Sequence, residues 1–541
     1  MFINFSQIPD SSKLFLDFLN NFKSVKPFYT HNFREKEMFP LVFNQNHKMD
    51  SIRRGKIYDI LKNQYQDTNP SKKTQRNIEL LKNSNTLAVV TGQQLGVFGG
   101  PLYTLYKTIT VLKLCNSLSE EFDSYNFVPV FWLENEDHDL AEITSLNILD
   151  DDGNPKAINY LTPEIANENK QSVGELKLGP EIDDFLKTFR ESMRTTDFSE
   201  ALFSILTEAY KPESTYLEAF RKLMHSLFDS YGVILFNPAD KEVKQILKPL
   251  FLQEINDFRK HSEALVNVSA TLDESYHAQV KVKPVNLFMH HEGGRYLIEP
   301  VEEGFRLKNK RVKFSKTELL DKIESNPELI SPNVLMRPVC QDYLFPTAFY
   351  VGGPGEIAYF AQALSLYDFF KVNKPVIFPR ASVTLVEKSI NSVLSKYNIR
   401  IEDLFLQKGK LADRIISSLS KSNIDDTFQN SKDQIDKIFE KIRTDFADID
   451  PQLADMSEKY KQKIFSYLDE YKAKSADAQK RKYDVVIKQS QKALNNLYPE
   501  SVLQERVFNY FLFANKYGAD LINIIYDEIA LNKFEHQIIF L

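Results

Sequence analysis

Cysteine is nearly absent: Cys115 and Cys340 are the only two in 541 residues. They lie too far apart for a CxxC pair, which argues against a zinc ribbon. Each sits in or beside an apolar run, as buried thiols in a reducing compartment do. Long hydrophobic runs are missing too: no stretch approaches the roughly 18 apolar residues that a membrane span needs. Met1–Asp10 lacks the basic segment and apolar core of a secretory leader. These absences predict a cytoplasmic protein with no membrane partner. Charge of one sign is also scarce, since 68 basic residues against 74 acidic ones leave a net charge of -6. Bulk charge therefore gives no support to a nucleic-acid partner.

What is present is an ordinary globular balance, 43% apolar and 26% charged, over a length that predicts two to four domains. The first 85 residues are polar and mixed, with helical pieces at 11–22 and 76–81. A repeated grammar of buried strand, loop and helix then begins. Thr86–Thr91 runs into Gly92-Gln93-Gln94-Leu95-Gly96-Val97-Phe98-Gly99-Gly100, and a helix follows from Pro101. Residues 126–133 lead into Glu134-Asn135-Glu136-Asp137-His138-Asp139; 232–236 lead into Asn237–Asp240 and a helix. Residues 346–351 lead into Gly352-Gly353-Pro354-Gly355-Glu356 and helical sequence to about Phe370. Residues 375–378 lead into Pro379–Ser382 and a further helix, with Thr384-x-x-Glu387 as a capping box. Five such units predict an α/β fold with a doubly wound, mainly parallel sheet whose post-strand loops share one edge.

Less regular stretches read as insertions. Asp150-Asp151-Asp152-Gly153-Asn154 marks a hairpin turn within 146–178, and 281–312 alternates as a small antiparallel β-patch. From about 385 to 498 the sequence turns helical and charged. Ile435, Phe439, Ile442, Phe446 and Ile449 step by four and three, a coiled-coil seam broken at Asp450-Pro451. A second helix, with Met456, Tyr460, Ile464, Tyr467 and Tyr471 on one side, runs on to Pro499, which predicts an antiparallel hairpin. The tail, 501–541, is apolar again and is expected to return to the core.

Candidate chemistry gathers at the post-strand loops. Gly92–Gly100 is a glycine-rich turn at a helix N-terminus, where free N–H groups and the helix dipole seat phosphate or carboxylate. The competing reading is a tight turn and nothing more. Tyr103 and Lys107 share one face of the following helix. Glu134, Asp137, His138 and Asp139 end a buried strand, where ligands sit in open α/β sheets. His138 is a candidate general base or amine-orienting group, with Asp137 fixing its tautomer, and the carboxylates are candidates for Mg2+. A solvated acidic turn is the alternative there. Glu356 is either a substrate-ammonium ligand or a capping carboxylate. Arg380 and Ser382 form either an anion-binding pair or part of a structural salt bridge. His277 and Arg295 bracket the β-patch. His290-His291 is not a metal pair, because adjacent strand residues point to opposite faces.

These residues, from Thr91-Gly92-Gln93-Gln94 through Gly99-Gly100-Pro101-Leu102-Tyr103 and Lys107 to Phe131–Asp139, resemble the BshC family of bacillithiol biosynthesis cysteine-adding enzymes. The likeness continues through Arg337-Pro338-Val339, Gln341-Asp342, Pro346-Thr347, Tyr350–Tyr359, Pro379-Arg380 and Gln504-Glu505-Arg506. The resemblance implies a ligase that joins cysteine to the amine of glucosaminyl-malate (GlcN-Mal). It also implies a Rossmann-like core related to class I aminoacyl-tRNA synthetases, with connecting-peptide insertions, and a coiled-coil region associated with dimerisation. On that basis the core comprises 1–145 and 231–384, with an insertion at 146–230 and a β insertion at 276–312. The helical hairpin then takes 385–499, and 500–541 returns to the core. In that setting Lys107, Asp137 and His138 are the expected catalytic residues. Gly92, Gln93, Gln94, Gly99, Gly100, Tyr103, Glu134, Asp139, Gly352, Gly353, Glu356, Arg380 and Ser382 are the expected binding residues. ATP or another nucleotide, with Mg2+, is a candidate cofactor, and the synthetases' HIGH and KMSKS signatures and thiol-selecting zinc set are absent. Two rivals stand beside the ligase: a synthetase-like adenylating enzyme acting on another amine or on tRNA, and a non-catalytic nucleotide-binding scaffold.

Overall fold

Thr86–Gln94 (β1) is the middle strand of a five-stranded parallel sheet. Its companions are Asn126–Glu134 (β2), Ile234–Phe236 (β3), Thr347–Gly352 (β4) and Val376–Pro379 (β5), in the spatial order β5-β4-β1-β2-β3. All four pairings are parallel. Residues 86–91 and 127–134 are buried throughout, the near-continuous apolar texture of a sheet covered on both faces. This computed structural model describes residues 1–541 apart from Lys48, Glu142, Asp151, 406–410, 412–413, 416–423 and Asp448.

Strand order makes β1 the turning point. From β1 the chain moves outward through β2 and β3, then returns to place β4 on the other side of β1. The carboxyl ends of β1 and β4 are thus adjacent where the winding reverses, the position at which open α/β sheets bind ligands. Thr91 Oγ1 donates to Val351 O across this junction at 2.8 Å. The other end of β1 is tied down by Arg54, whose buried guanidinium donates to the carbonyls of Asn46, Leu81, Asn83, Ser84 and Thr86.

The chain divides into two compact units. The first comprises residues 1–150, 155–384 and 503–539; the second comprises 151–154, 385–502 and 540–541. Within the first, the helices Lys13–Asn20, Phe39–His47, Ser51–Gln64 and Lys72–Leu80 make the N-terminal region more helical than its composition suggests. Leu102–Glu121 (α1) follows β1. The strands Ser145–Leu149 and Pro155–Asn159 pair antiparallel as the predicted hairpin; Asp151 of its turn lies outside the described residues. Lys241–Asp273 (α2) follows β3 behind an Asp240 N-cap, and Pro354–Ala363 (α3) follows β4.

The β-patch is larger than 281–312. Leu287–His291, Gly294–Val301, Gly304–Leu307 and Lys313–Phe314 form a meander, and Ile330–Pro332 joins it beside Leu287–His291 as a fifth antiparallel strand. A second departure follows β5. Ser382–Val386 is a strand, not the start of a helix, and the helix begins only at Lys388, with Glu387 as an N-cap lacking a side-chain cap bond. Four of the five residues 382–386 are β-branched or Leu, a composition that favours the strand.

In the second unit Ile424–Ala447 and Pro451–Lys482 form the antiparallel hairpin, with Asp450 capping Gln452 N at the turn. The helix predicted to reach Pro499 breaks at Tyr483 and resumes over Asp484–Leu497. Lys432–Asp469, Lys461–Asp436 and Lys472–Asp425 ion pairs cross between the two long helices. The seam is only half covered: Ile435 and Phe439 are half-buried, whereas Ile442, Phe446 and Ile449 are exposed.

Candidate functional site

At the adjoining ends of β1 and β4 a cleft of about 550 Å3 opens. Gly92, Gln93 and Gln94 come to it from β1, and Tyr103 and Lys107 from α1. Glu134, Asp137 and His138 come from the end of β2, Gly353 and Glu356 from the start of α3, and Arg380 from the end of β5. Residues from Gly92 to Arg506, far apart in sequence, thus line one space. Gly92 is needed where it stands, because a Cβ there would meet Trp132 Cβ and Trp132 O at 3.0 Å.

Lys107 is buried, and its ammonium has three N–H groups. They go to Gly92 O at 3.0 Å, Gln93 Oε1 at 2.8 Å and Glu356 Oε2 at 2.6 Å. Burial pulls the Lys107 pKa down, against the hold of Glu356. Glu356 also accepts from Gly353 N at 2.8 Å and from the Tyr350 hydroxyl at 2.6 Å. Burial pushes that carboxyl up, but Lys107, the Gly353 amide and Tyr350 together hold it below the usual range. Both sequence readings of these residues change. Lys107 has no donor left for chemistry, and the ammonium that Glu356 binds is that of Lys107. The pair fastens α1 to the helix after β4.

Beside it, Arg337 donates to Glu134 Oε2 at 3.0 Å and to the Tyr359 hydroxyl at 3.0 Å, and Trp132 Nε1 donates to the same Glu134 oxygen at 3.2 Å. Asp137 Oδ2 accepts from Gln94 Nε2 at 2.8 Å, and its Oδ1 accepts the backbone N–H of His138 at 2.7 Å. Burial raises Asp137, but Arg295, that N–H and Gln94 outweigh it and leave the carboxyl below its ordinary pKa. Arg295 arrives from the β insertion, with Nη1 3.7 Å from Asp137 Oδ1 and 3.2 Å from His138 Nδ1. Glu136 points away from the cleft residues into a buried ion pair with Lys244.

Other expected residues lie elsewhere. The N–H groups of the Gly96–Gly100 turn are used internally: Val97 N reaches Ile143 O, Gly99 N reaches Gly96 O and Gly100 N reaches Val97 O. Asn509 Nδ2 in turn donates to Phe98 O and Gly100 O. Gly99 and Gly100, at φ +87 and +72, therefore shape a turn and offer no phosphate seat. Asp139 is exposed and outside the cleft. Gly352 and Ser382 line a separate cavity of about 30 Å3. Ser382 Oγ donates to Glu505 Oε1 at 2.9 Å and bonds His536 Nδ1 at 2.8 Å, so it belongs to a buried network. Arg380 donates to Glu505 Oε1 at 2.7 Å, which is the structural salt bridge of the two alternatives. Among the described residues no three His, Cys, Asp or Glu side chains converge as a metal site. No helix there is long and apolar enough to cross a membrane.

Comparison with known families places this architecture. Residues 1–381 match the bacillithiol biosynthesis BshC N-terminal Rossmann-like domain, and residues 383–541 match the BshC C-terminal coiled-coil domain. The chain belongs to the BshC family. A relative from Salinibacter ruber, named "Putative cysteine ligase BshC", is 34% identical over 97% of this chain and 96% of its own length. One of the same name from Chloroherpeton thalassium is 34% identical over 98% and 96%. A solved chain described as a "putative arginyl t-RNA synthetase" from Campylobacter jejuni covers 83% of this chain at 11% identity, with a TM-score of 0.20; that is too slight an overlap to bear on fold or function.

The BshC cleft holds cations that no strand-end rule picks out: Lys281, Lys283, Arg295, Arg337 and Arg506. Arg337 and Arg506 stand in the motifs that carry the family likeness, the one sequence signal that marks them. The cleft carboxylates are each matched, Glu356 by Lys107, Glu134 by Arg337 and Asp137 by Arg295. Lys281, Lys283 and Arg506 make no ion pair among the described residues and leave the cleft with surplus positive charge. Arg506, Arg380 and Lys107 all lie within 6 Å of the Tyr103 ring centroid, cation–π distances that collect charge at one wall.

Proposed function

We propose that this BshC chain joins the carboxyl group of cysteine to the amine of GlcN-Mal, forming the amide of bacillithiol in the cytoplasm. The relatives' name supplies the ligase class and the cysteine. The observation that carries the rest is the cleft's surplus of cations beside matched carboxylates. Both substrates bring carboxylates, GlcN-Mal two of them, and lysine and arginine recognise such groups by charge and forked hydrogen bonds. In an enclosed site those contacts also fix the amine against the acyl carbon.

Amide formation from a free carboxylate needs activation, which ATP or another nucleotide would supply as an adenylate or acyl phosphate. The residues present fit a phosphate through side chains, with Arg506, Lys281 and Lys283 as its holders, because the amides of the Gly96–Gly100 turn are taken. Mg2+ would reach the cleft on the phosphates, since Glu134, Asp137 and Glu356 are already paired.

The hairpin supports a homodimer. Ile438, Ile442 and Phe446 on one helix and Met456, Tyr460 and Tyr467 on the other are exposed, apolar side chains on both helices of the arm that a partner would cover.

The test is purified protein with cysteine and GlcN-Mal, with and without ATP. Bacillithiol is the expected product, and AMP or ADP identifies the activation. Turnover of another amine or of tRNA, with none of GlcN-Mal, would replace this reading with the adenylating rival.

A further inference from the structure

Arg295 is positioned by the register of the β insertion. It pairs with His290 across the meander, and Phe288 pairs with Ser331. Side chains of directly opposed residues share a face, as do residues two apart, so Phe288, His290, Arg295 and Ser331 stand on one side. There Arg295 Nε donates to Ser331 Oγ at 2.8 Å and Nη2 donates to Pro332 O at 2.8 Å, while the guanidinium carbon lies 3.9 Å from the Phe288 ring centroid. Two bonds and a stacked ring fix the plane. Nη1 is left facing His138 Nδ1 at 3.2 Å.

A guanidinium only donates. His138 Nδ1 must therefore accept, and the neutral ring carries its proton on Nε2, which makes no hydrogen bond with a described residue. A charged imidazolium would set N–H against N–H. The other charges near the ring are Asp137, Asp139 and Lys170. Asp137 Oδ1 lies 3.6 Å from Nδ1, beyond hydrogen-bond distance and farther than Arg295 Nη1, while it accepts the His138 amide and its Oδ2 accepts from Gln94. Burial together with Arg295 holds His138 below its ordinary pKa.

Within the ligase reading above, we infer that His138 is a fixed Nε2–H donor to an oxygen of the bound substrate, not a base, and that Arg295 is the positioning residue that locks this tautomer. The sequence assigned the tautomer to Asp137; the geometry assigns it to Arg295.

Two measurements on the full-length protein test this. Ring 15N spectra of histidine-labelled enzyme, with His138→Gln as the assignment control, should show the neutral ring of His138 protonated on Nε2 alone and taking up its second proton at lower pH than a free histidine. In Arg295→Met the residue should sample both tautomers and titrate at higher pH than in the wild type. A wild-type His138 protonated on Nδ1, or titrating like a free histidine, overturns the inference whatever the enzyme makes. In the bacillithiol assay His138→Ala should lose roughly 10²–10³ in kcat, the usual loss for a donor to developing charge, with KM little changed. His138→Gln, which keeps an N–H but no basic nitrogen, should recover at least about ten-fold of that loss. Equal loss in both variants means the ring acts as a base and the inference fails. If the wild type makes no bacillithiol, the ligase reading falls, and the spectra alone still decide the tautomer.

Discussion

Lys107 Nζ lies 2.6 Å from Glu356 Oε2, and the two side chains are 4% and 16% exposed. This contact clamps the first helix of the sheet to the last crossover beside the cleft. Lys107→Met would strand a buried carboxylate, and breaking such a pair costs about 3–5 kcal/mol. Urea unfolding should show that loss in Lys107→Met, a comparable one in Glu356→Gln, and less than their sum in the double variant. Single variants as stable as the wild type would mean the clamp contributes nothing.

Asp342 gives a pH signature of opposite sign to most carboxylates. Burial pushes its pKa up to about 7, although Tyr367 and Gln341 donate to it. The folded protein therefore keeps a proton that the unfolded chain loses above about pH 4, and stability declines as pH rises from there to about 7. Asp342→Asn keeps the shape without the ionisation, and the Tyr367 hydroxyl can turn to accept from the amide. The variant should be more stable than wild type by roughly 2–4 kcal/mol at pH 8, with the gap closing towards pH 4. A gap that widens on acidification would contradict the assignment.

Trp132 is the only tryptophan in the chain, and it packs on Gly92 in the cleft wall. Gly92→Ala would force the two apart, an overpacking cost of about 1–3 kcal/mol. Its fluorescence should shift in the folded variant, and GlcN-Mal should perturb the wild-type emission. Emission indifferent to both would place the indole outside the working site.

The hairpin predicts a mass. Ile438 and Tyr467 are 56% and 71% exposed, so glutamate at both should leave helix content unchanged. Light scattering should find two chains in the wild type and one in the double variant. A wild-type monomer would remove the dimer.

The sheet was legible because each buried strand ends in a glycine or polar loop, and that punctuation survives in one dimension. Gln94, His138 and Glu356, at the ends of strands or just beyond them, line one cleft for the same reason. Occupancy was not legible. Whether Lys107 has a spare proton, or the Gly99-Gly100 amides a free direction, depends on partners such as Glu356, Ile143 and Asn509. Arg295 lies 157 positions from His138, and only the register of the insertion shows that the two meet. After Pro379 the run 382–386 reads as leading into a helix, but its β-branched composition favours the strand that forms there.

The junction between β1 and β4 also dictates when a newborn chain can be finished. Thr91 meets Val351, 260 positions further on, so while the ribosome is still making the middle of the polypeptide, one edge of the central strand has no neighbour. An unpaired strand edge invites other chains. Products that stop short of residue 347 should thus collect in inclusion bodies, and the cleft comes into being only in the closing third of synthesis.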